Sequence, residues 1–207
     1  MSAENRSMPN AALYVLFRAI EEVMGEKGFR AMLNASGLQA YISNPPPNNL
    51  DHDITFEDYA RLQQAVEDFY GPRGARAILA QIGRVTFRYT LEQQPAILGL
   101  AGLALKLLPE QAKVKMILTR MQNASNERVN MTAHMDEDDE AWYFVVTACP
   151  CVFRERSSSN PACYTTAGTI QEALRWATGN HYMVREIKCM NLGEGECCFR
   201  IDKTPQS

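Results

Sequence analysis

Residues 183–201, MVREIKCMNLGEGECCFRI, predict two strands joined by a glycine-containing turn. The strands are expected over residues 183–190 and 196–201, because side chains alternate between two faces along a strand. This alternation places Cys197 on the apolar face of the second strand, with Phe199 and Ile201, and Cys198 on the opposite face. Residues 186 and 189 are three positions apart, so they would face opposite sides of a regular strand. A bulge or a strand end between them is therefore expected.

All six cysteines of the chain lie between positions 149 and 198. Thiolates concentrated in this way indicate a metal site, and a tetrahedral zinc suits such ligands best. The candidate ligands are Cys163, Glu186, Cys189 and Cys197. The spacing leaves open whether Cys149, Cys151 or Cys198 replaces one of the four. It also leaves two readings without a metal, buried thiols and a disulfide framework, although disulfide scaffolds are usually short secreted chains.

Composition excludes some classes of function. The chain has 207 residues, 46% of them apolar, and a formal net charge of −3. It shows no basic stripe of the kind that nucleic-acid binding requires. Its most apolar run, residues 96–108, is shorter than the roughly 20 residues that a membrane-spanning helix needs. We therefore expect a cytoplasmic protein with reduced thiols, no nucleic-acid partner and no membrane span.

Hydrophobic periodicity divides the chain into a helical half and a mixed half. Residues 1–10 are expected to be a flexible N-terminus, and residues 11–203 a single domain. Within this domain, residues 11–124 form the helical part and residues 127–203 the mixed part that carries the candidate metal ligands. The predicted helices cover residues 11–24, 29–35, 59–70, 72–85, 96–108, 110–123 and 169–178.

Alternation also predicts a hairpin in the mixed half. Its first strand contains Val129, Met131 and Ala133, and its second contains Trp142, Phe144 and Val146. The acidic run 136–140 is expected to form the solvated loop between them. In the apolar helix 96–108, Gly99 and Gly102 leave space that either a flat ligand or a neighbouring helix could fill.

The pattern Glu186-x-x-Cys189, then Gly193 and Gly195, then Cys197-x-Phe199-x-Ile201 resembles the 4-vinyl reductase domain family. This family is named after a protein of bacteriochlorophyll biosynthesis and includes the sensory domains of phenol- and xylene-responsive activators. Cys163 stands where those sensory domains have their first zinc ligand. The resemblance therefore implies the same four zinc ligands that the spacing suggests.

The resemblance also implies a fold and a binding pocket. The expected fold is α/β, more specifically α+β, with N-terminal helices packed on an antiparallel sheet. It is related to the ligand-binding fold of NO-signalling and Golgi-transport proteins, and these proteins are usually dimeric. A pocket for a hydrophobic small molecule is implied between helices and sheet, close to the zinc. Trp142 matches a pocket tryptophan of the aromatic sensors, and Phe144, Gly99 and Gly102 complete the candidate ligand-binding residues.

Several functions are compatible with these features. The first is a small-molecule-binding module or ligand sensor with a structural zinc, in which four protein ligands leave no open position for catalysis. The second is an accessory protein, carrier or reductase in bacteriochlorophyll or tetrapyrrole biosynthesis, although no dinucleotide fingerprint supports a nicotinamide-dependent reductase. A third is an interaction protein that dimerises through its first helix. A catalytic zinc would need a general base, for which His181 and Glu194 are the candidates.

Overall fold

Long helices form the first half of the protein. The computed structural model describes residues 6–93, 107–155 and 160–206. Helix α1 spans Asn10–Ala35 and helix α2 spans Phe56–Gln93. Each is kinked at a glycine with positive φ, Gly25 at 72° and Gly71 at 69°. These kinks fall where the sequence predicts breaks, because glycine tolerates left-handed backbone and Pro72 can open a new helical segment. The predicted helix 96–108 falls mostly on residues 94–106, outside the described ranges.

Helix α3 spans Glu110–Glu127, and helix α4 spans Tyr164–Thr178. The mixed half contains an antiparallel sheet of four strands in the order β3-β4-β6-β5. The α+β fold expected from the sequence is thereby confirmed. The strands are β3 (Ala133–Glu137), β4 (Ala141–Val146), β5 (Val184–Lys188) and β6 (Cys197–Asp202).

The N-terminus differs from the flexible segment expected over residues 1–10. Ser7–Met8 forms strand β1, which pairs antiparallel with strand β2, Ile54–Thr55. The Met8 side chain is buried in the core around α1 and α2. Thr55 also caps α2, since its hydroxyl accepts the backbone N–H of Asp58 at 3.0 Å, as the sequence predicts.

The first strand of the hairpin is displaced from its predicted position. β3 begins at Ala133, and both its N–H and its carbonyl pair with the amide of Asn126 near the end of α3. The preceding segment turns through Asn130, whose φ is 58°. The strand instead includes part of the acidic run. An edge strand tolerates charged side chains, and Glu137 pairs with Lys115 at 2.7 Å.

Helices α2 and α4 cross in backbone contact. A Cβ atom placed on Gly83 would lie 2.0 Å from the carbonyl oxygen of Thr165, and one on Gly168 would lie 2.0 Å from that of Ala80. Only glycine allows this approach. The crossing fixes the start of α4, and therefore Cys163, against α2. Within the described residues, no helix is both long and apolar enough to cross a membrane.

Candidate functional site: a cysteine cluster beside an apolar cavity

Four separate elements bring the predicted ligands together. Cys163 immediately precedes α4, and Glu186 lies in β5. Cys189 precedes a short 3-10 helix, Met190–Leu192, and Cys197 is the first residue of β6. The ligand atoms of these four residues all lie within 4.8 Å of one another. The pairing of β5 with β6 shifts register between Glu186 and Lys188, which supplies the irregularity that the sequence requires.

Glu186 is buried with one oxygen free. Its Oε2 accepts the backbone N–H of Cys163 at 2.8 Å. Its Oε1 is buried and has no hydrogen-bond partner among the described residues. Burial raises the pKa of the Glu186 carboxyl to about 9, and the neighbouring Cys189 thiol contributes to the rise. A cation coordinated at Oε1 would satisfy this atom and favour the ionised carboxyl.

Two further cysteines join the cluster. Cys149, Cys151, Cys163 and Cys197 form a second group whose four Sγ atoms lie within 4.8 Å of one another. The Cys149 and Cys163 sulfurs are 3.6 Å apart, and those of Cys151 and Cys197 are 3.4 Å apart. The Cys163 and Cys197 sulfurs, which belong to both groups, are 3.8 Å apart. Cys198 is buried but belongs to neither group, as the strand alternation predicts.

Polar contacts hold the segment that carries Cys149 and Cys151. The amide of Asn191 donates to the carbonyl oxygens of Cys151 and Arg154, at 3.1 and 2.7 Å. The guanidinium of Arg154 is buried, donates to the carbonyl oxygen of Ala162 and forms an ion pair with Glu67. These contacts fasten the short 3-10 helix Pro150–Phe153 to α2 and to the turn between β5 and β6.

The thiols influence one another's protonation. Hydrogen bonding with Cys149 and the other cluster thiols raises the pKa of Cys163 well above its ordinary value. The same kind of contact, again with Cys149 first, lowers the pKa of Cys151. A buried cluster of this kind keeps most of its protons when no metal is bound, because several adjacent thiolates would repel one another. Metal binding is therefore expected to release protons.

An apolar cavity of about 250 Å³ adjoins the cluster. Cys149, Cys151 and Cys163 form part of its wall, and Phe144 of β4 contributes from the sheet. The remaining lining side chains come mainly from α1, α2, α3 and α4 and include Val15, Tyr59, Ala60, Gln63, Thr86, Thr90, Met121, Ala124 and Thr169. The cavity thus lies between the helical half and the sheet, next to the candidate metal ligands.

Two polar atoms in the cavity wall lack partners. The hydroxyl of Thr165 and Nε of Arg154 are buried and make no hydrogen bond to any described residue. A buried polar group without a partner costs roughly 1–3 kcal/mol. A ligand with one polar group among apolar atoms would satisfy such positions.

The predicted ligand-binding residues have different places. Phe144 lines the cavity, whereas Trp142 does not and packs on Tyr182 in the core beside the sheet, with ring centroids 6.4 Å apart. Gly99 and Gly102 lie outside the described residues. Most of the wall comes from helices whose sequences predict only packing, so sequence analysis missed Thr165 and Arg154. No signal in the sequence distinguishes them from other polar residues.

The two candidate bases have structural surroundings of their own. Glu194 is exposed, and its Oε2 accepts the backbone N–H of Cys189 at 2.5 Å, so this carboxylate shapes the turn that presents Cys189. His181 is exposed, pairs through its backbone with Gln206, and belongs to neither group of metal ligands.

Solved structures share the fold over nearly the whole chain. An H-NOX protein from S. oneidensis in the Fe(II)NO ligation state matches with a TM-score of 0.60 and 11% identity, covering 97% of this chain and all of the other. A structure described under heme redox potential and porphyrin distortion matches with a TM-score of 0.58 and 12% identity, covering 94% of this chain and 99% of the other.

The phenol-responsive sensory domain of the transcription activator PoxR, solved with phenol, is also similar. Its TM-score is 0.51 and its identity 14%, with 72% of this chain and 74% of the other covered. No curated protein matches the chain at the level of sequence. Residues 142–203, which contain all four predicted zinc ligands, match the 4-vinyl reductase domain, so the resemblance to this family is confirmed over that part of the chain.

Proposed function

We propose that this protein is a small-molecule-binding, sensor-type module, in which a structural zinc holds one wall of an apolar cavity. The observation that carries the proposal is the contact between cavity and cluster: three cysteines of the cluster also line the cavity. A ligand in the cavity would therefore lie against the segments that the metal organises. The similarity to the sensory domain of PoxR supports the same function.

The cavity indicates the size and chemistry of the ligand. A cavity of roughly 150 Å³ lined by apolar side chains holds benzene, and the cavity here is about 250 Å³. One ring with substituents, or two fused rings, fits this space. The free hydroxyl of Thr165 and the free Nε of Arg154 favour a ligand with one polar group, such as a phenol.

Haem does not fit this site as it fits the H-NOX relatives. The chain has three histidines, His52, His134 and His181. All three are exposed, and none lines the cavity. No imidazole is therefore placed to bind an iron there, and the volume suits one or two rings better than a macrocycle. The same volume argues against the alternative role in tetrapyrrole metabolism.

Zinc does fit the cluster. The proposed ligands are Cys163, Glu186, Cys189 and Cys197, a set of three soft sulfurs and one carboxylate that suits tetrahedral zinc. The unpartnered Oε1 of Glu186 supplies the oxygen. Four protein ligands complete the coordination, so the metal would join β5, β6 and the start of α4 without an open position for catalysis. A homodimer with the N-terminal helical region at its interface stays a prediction, which sedimentation at micromolar concentration tests.

Calorimetric titration with phenol, 1-naphthol and protoporphyrin tests the proposed cavity. Binding of the one- or two-ring compounds, and none of the porphyrin, is the expected result. Ala124→Leu fills the cavity from α3 and should weaken binding at least about tenfold. Ala112→Leu is the matched control, because Ala112 lies on the same helix but does not line the cavity.

Thr165→Val removes the free hydroxyl at almost constant volume and should weaken binding of 1-naphthol. It should leave binding of naphthalene, which lacks the polar group, unchanged. Failure of every aromatic to bind the folded, metal-loaded protein would contradict the proposed function. Equal effects of the Ala124 and Ala112 substitutions would place the ligand elsewhere.

A further inference from the structure

The cluster contains more ligand atoms than one metal ion can use. Five sulfurs and one carboxylate make up the cluster, in which Cys163 and Cys197 are shared by both sets of four. One set adds Glu186 and Cys189 to this pair, and the other adds Cys149 and Cys151. Building on the proposed zinc site, we infer that the cluster binds two divalent metal ions, with the thiolates of Cys163 and Cys197 bridging them.

The sulfur positions match this arrangement. In a tetrahedral site with zinc–sulfur bonds of about 2.3 Å, ligand sulfurs are about 3.8 Å apart. The shared Cys163 and Cys197 sulfurs are separated by 3.8 Å. The sulfur of Cys149 lies 3.6 Å from that of Cys163, and the sulfur of Cys151 lies 3.4 Å from that of Cys197. Two tetrahedra that share the Cys163–Cys197 edge therefore account for all six ligands.

The protein fixes the second set as firmly as the first. Asn191 holds the carbonyl oxygens of Cys151 and Arg154, in and just after the 3-10 helix that carries Cys151. The backbone N–H of Met190 lies 3.4 Å from the Cys197 sulfur and points to it as a donor. Hydrogen bonds to a thiolate sulfur tune a metal centre and orient the ligand. The bridging position is thus supported by backbone as well as by side chains.

Charge favours two ions over one. One divalent ion bound by three thiolates and Glu186 leaves Cys149 and Cys151 as buried thiols beside a site that is already anionic. A second divalent ion takes up these two sulfurs as thiolates and releases their protons to solvent. The six anionic ligands then face four positive charges, so each ion stabilises the thiolates it shares with the other.

The second ion would form part of the cavity wall. Cys149, Cys151 and Cys163 line the cavity, whereas Glu186 and Cys189 do not. The ion held by Cys149 and Cys151 is therefore the one next to the ligand. Its loss should change binding of an aromatic ligand more than the loss of Cys198 does.

Native mass spectrometry of the metal-free protein titrated with zinc counts the ions directly. We expect two ions in the parent protein and one in the Cys149→Ser/Cys151→Ser double variant. The matched control is Cys198→Ser, a buried cysteine outside both sets, which should keep two. The reciprocal variant Glu186→Ala/Cys189→Ser should keep one ion on the other set. It also guards against the case in which the first double variant fails to fold.

Titration with Co²⁺ gives an independent readout, because charge-transfer absorbance from thiolate to cobalt should rise up to two equivalents. A parent protein that saturates with one ion would overturn the second site and leave the proposed zinc site standing. Binding of no ion would overturn both. Two ions in the Cys149→Ser/Cys151→Ser variant would place the second ion outside this cluster and overturn the inference.

Discussion

The carboxylate of Glu186 accepts the backbone N–H of Cys163 at 2.8 Å, which joins strand β5 to the residue just before helix α4. This contact orders two proposed metal ligands before any metal arrives. A ligand set that is already in place loses less conformational entropy when the metal binds. The contact also leaves the other oxygen of Glu186 buried and free to coordinate.

Glu186→Gln should have opposite effects without and with zinc. In the metal-free protein, burial raises the pKa of Glu186 from 4.5 to about 9. The folded state therefore favours the protonated carboxyl. Its stabilising effect is complete below about pH 4.5 and is lost as the pH rises toward about 9. Glutamine mimics the protonated form, so the metal-free variant should be more stable than the parent at about pH 8.

With zinc bound, the carboxylate is a ligand, and the same substitution should destabilise the protein. Urea unfolding with chelator and with excess zinc, between about pH 5 and about pH 9, measures both effects. Glu194→Gln is a suitable control, because Glu194 is exposed. The prediction is contradicted if Glu186→Gln lowers the free energy of unfolding by the same amount in both conditions.

Adjacent cysteines at the start of β6 should respond differently to serine. Cys197 belongs to both groups of ligands, whereas Cys198 belongs to neither. Metal binding is coupled to folding, so Cys197→Ser should lower the free energy of unfolding of the zinc-loaded protein by more than about 2 kcal/mol. Cys198→Ser should cost less than about 1 kcal/mol. Thermal unfolding with a metal assay checks both variants, and a larger effect at Cys198 would mean that the strand faces the other way.

Alanine at the helix crossing should be severe. A Cβ on Gly83 would lie 2.0 Å from the backbone of Thr165. Because backbone cannot rotate away as a side chain can, Gly83→Ala should cost at least about 3 kcal/mol or prevent folding. Gly195→Ala is the control, since no atom lies within 4 Å of the added carbon. Denaturant unfolding compares the two, and equal stabilities would show that the helices separate without cost.

The buried pair of Arg154 and Glu67 should couple strongly. Removing one member of a buried ion pair leaves the other charge uncompensated, which typically costs about 3–5 kcal/mol. Arg154→Met should show an effect of this size, because the guanidinium is almost fully buried. The double variant with Glu67→Leu should recover part of the loss. A double-mutant cycle of unfolding free energies measures the coupling, and additive single effects would exclude it.

Local sequence patterns predict much of the sheet around the metal ligands. Spacing brings Cys163, Glu186, Cys189 and Cys197 to attention, and strand alternation separates Cys197 from Cys198. The same alternation requires an irregularity after Glu186, which the register shift at Lys188 confirms. These features depend on periods of a few residues, which a sequence displays directly.

Features that depend on distant segments are harder to predict. Cys149 and Cys151 reach the cluster because Asn191 and Arg154 hold their turn in place, and no local pattern indicates those contacts. Strand β3 begins later than its alternation predicts because Asn126, at the end of a helix, fixes its first residue. The cavity wall combines four helices and a strand, so its position follows from tertiary packing alone.

The glycine crossing of α2 and α4 has a mechanical consequence. The two helices are in backbone contact at Gly83 and Gly168, and the hydroxyl of Thr169 also donates to the carbonyl oxygen of Gly83. Neither helix can approach the other, so the low-energy motion left to the pair is a pivot about the crossing. Thr86 and Thr169 extend from these helices to the cavity. A molecule wedged against them would turn the two helices as one body, and Cys163 at the base of α4 would carry that rotation into the metal-binding cluster.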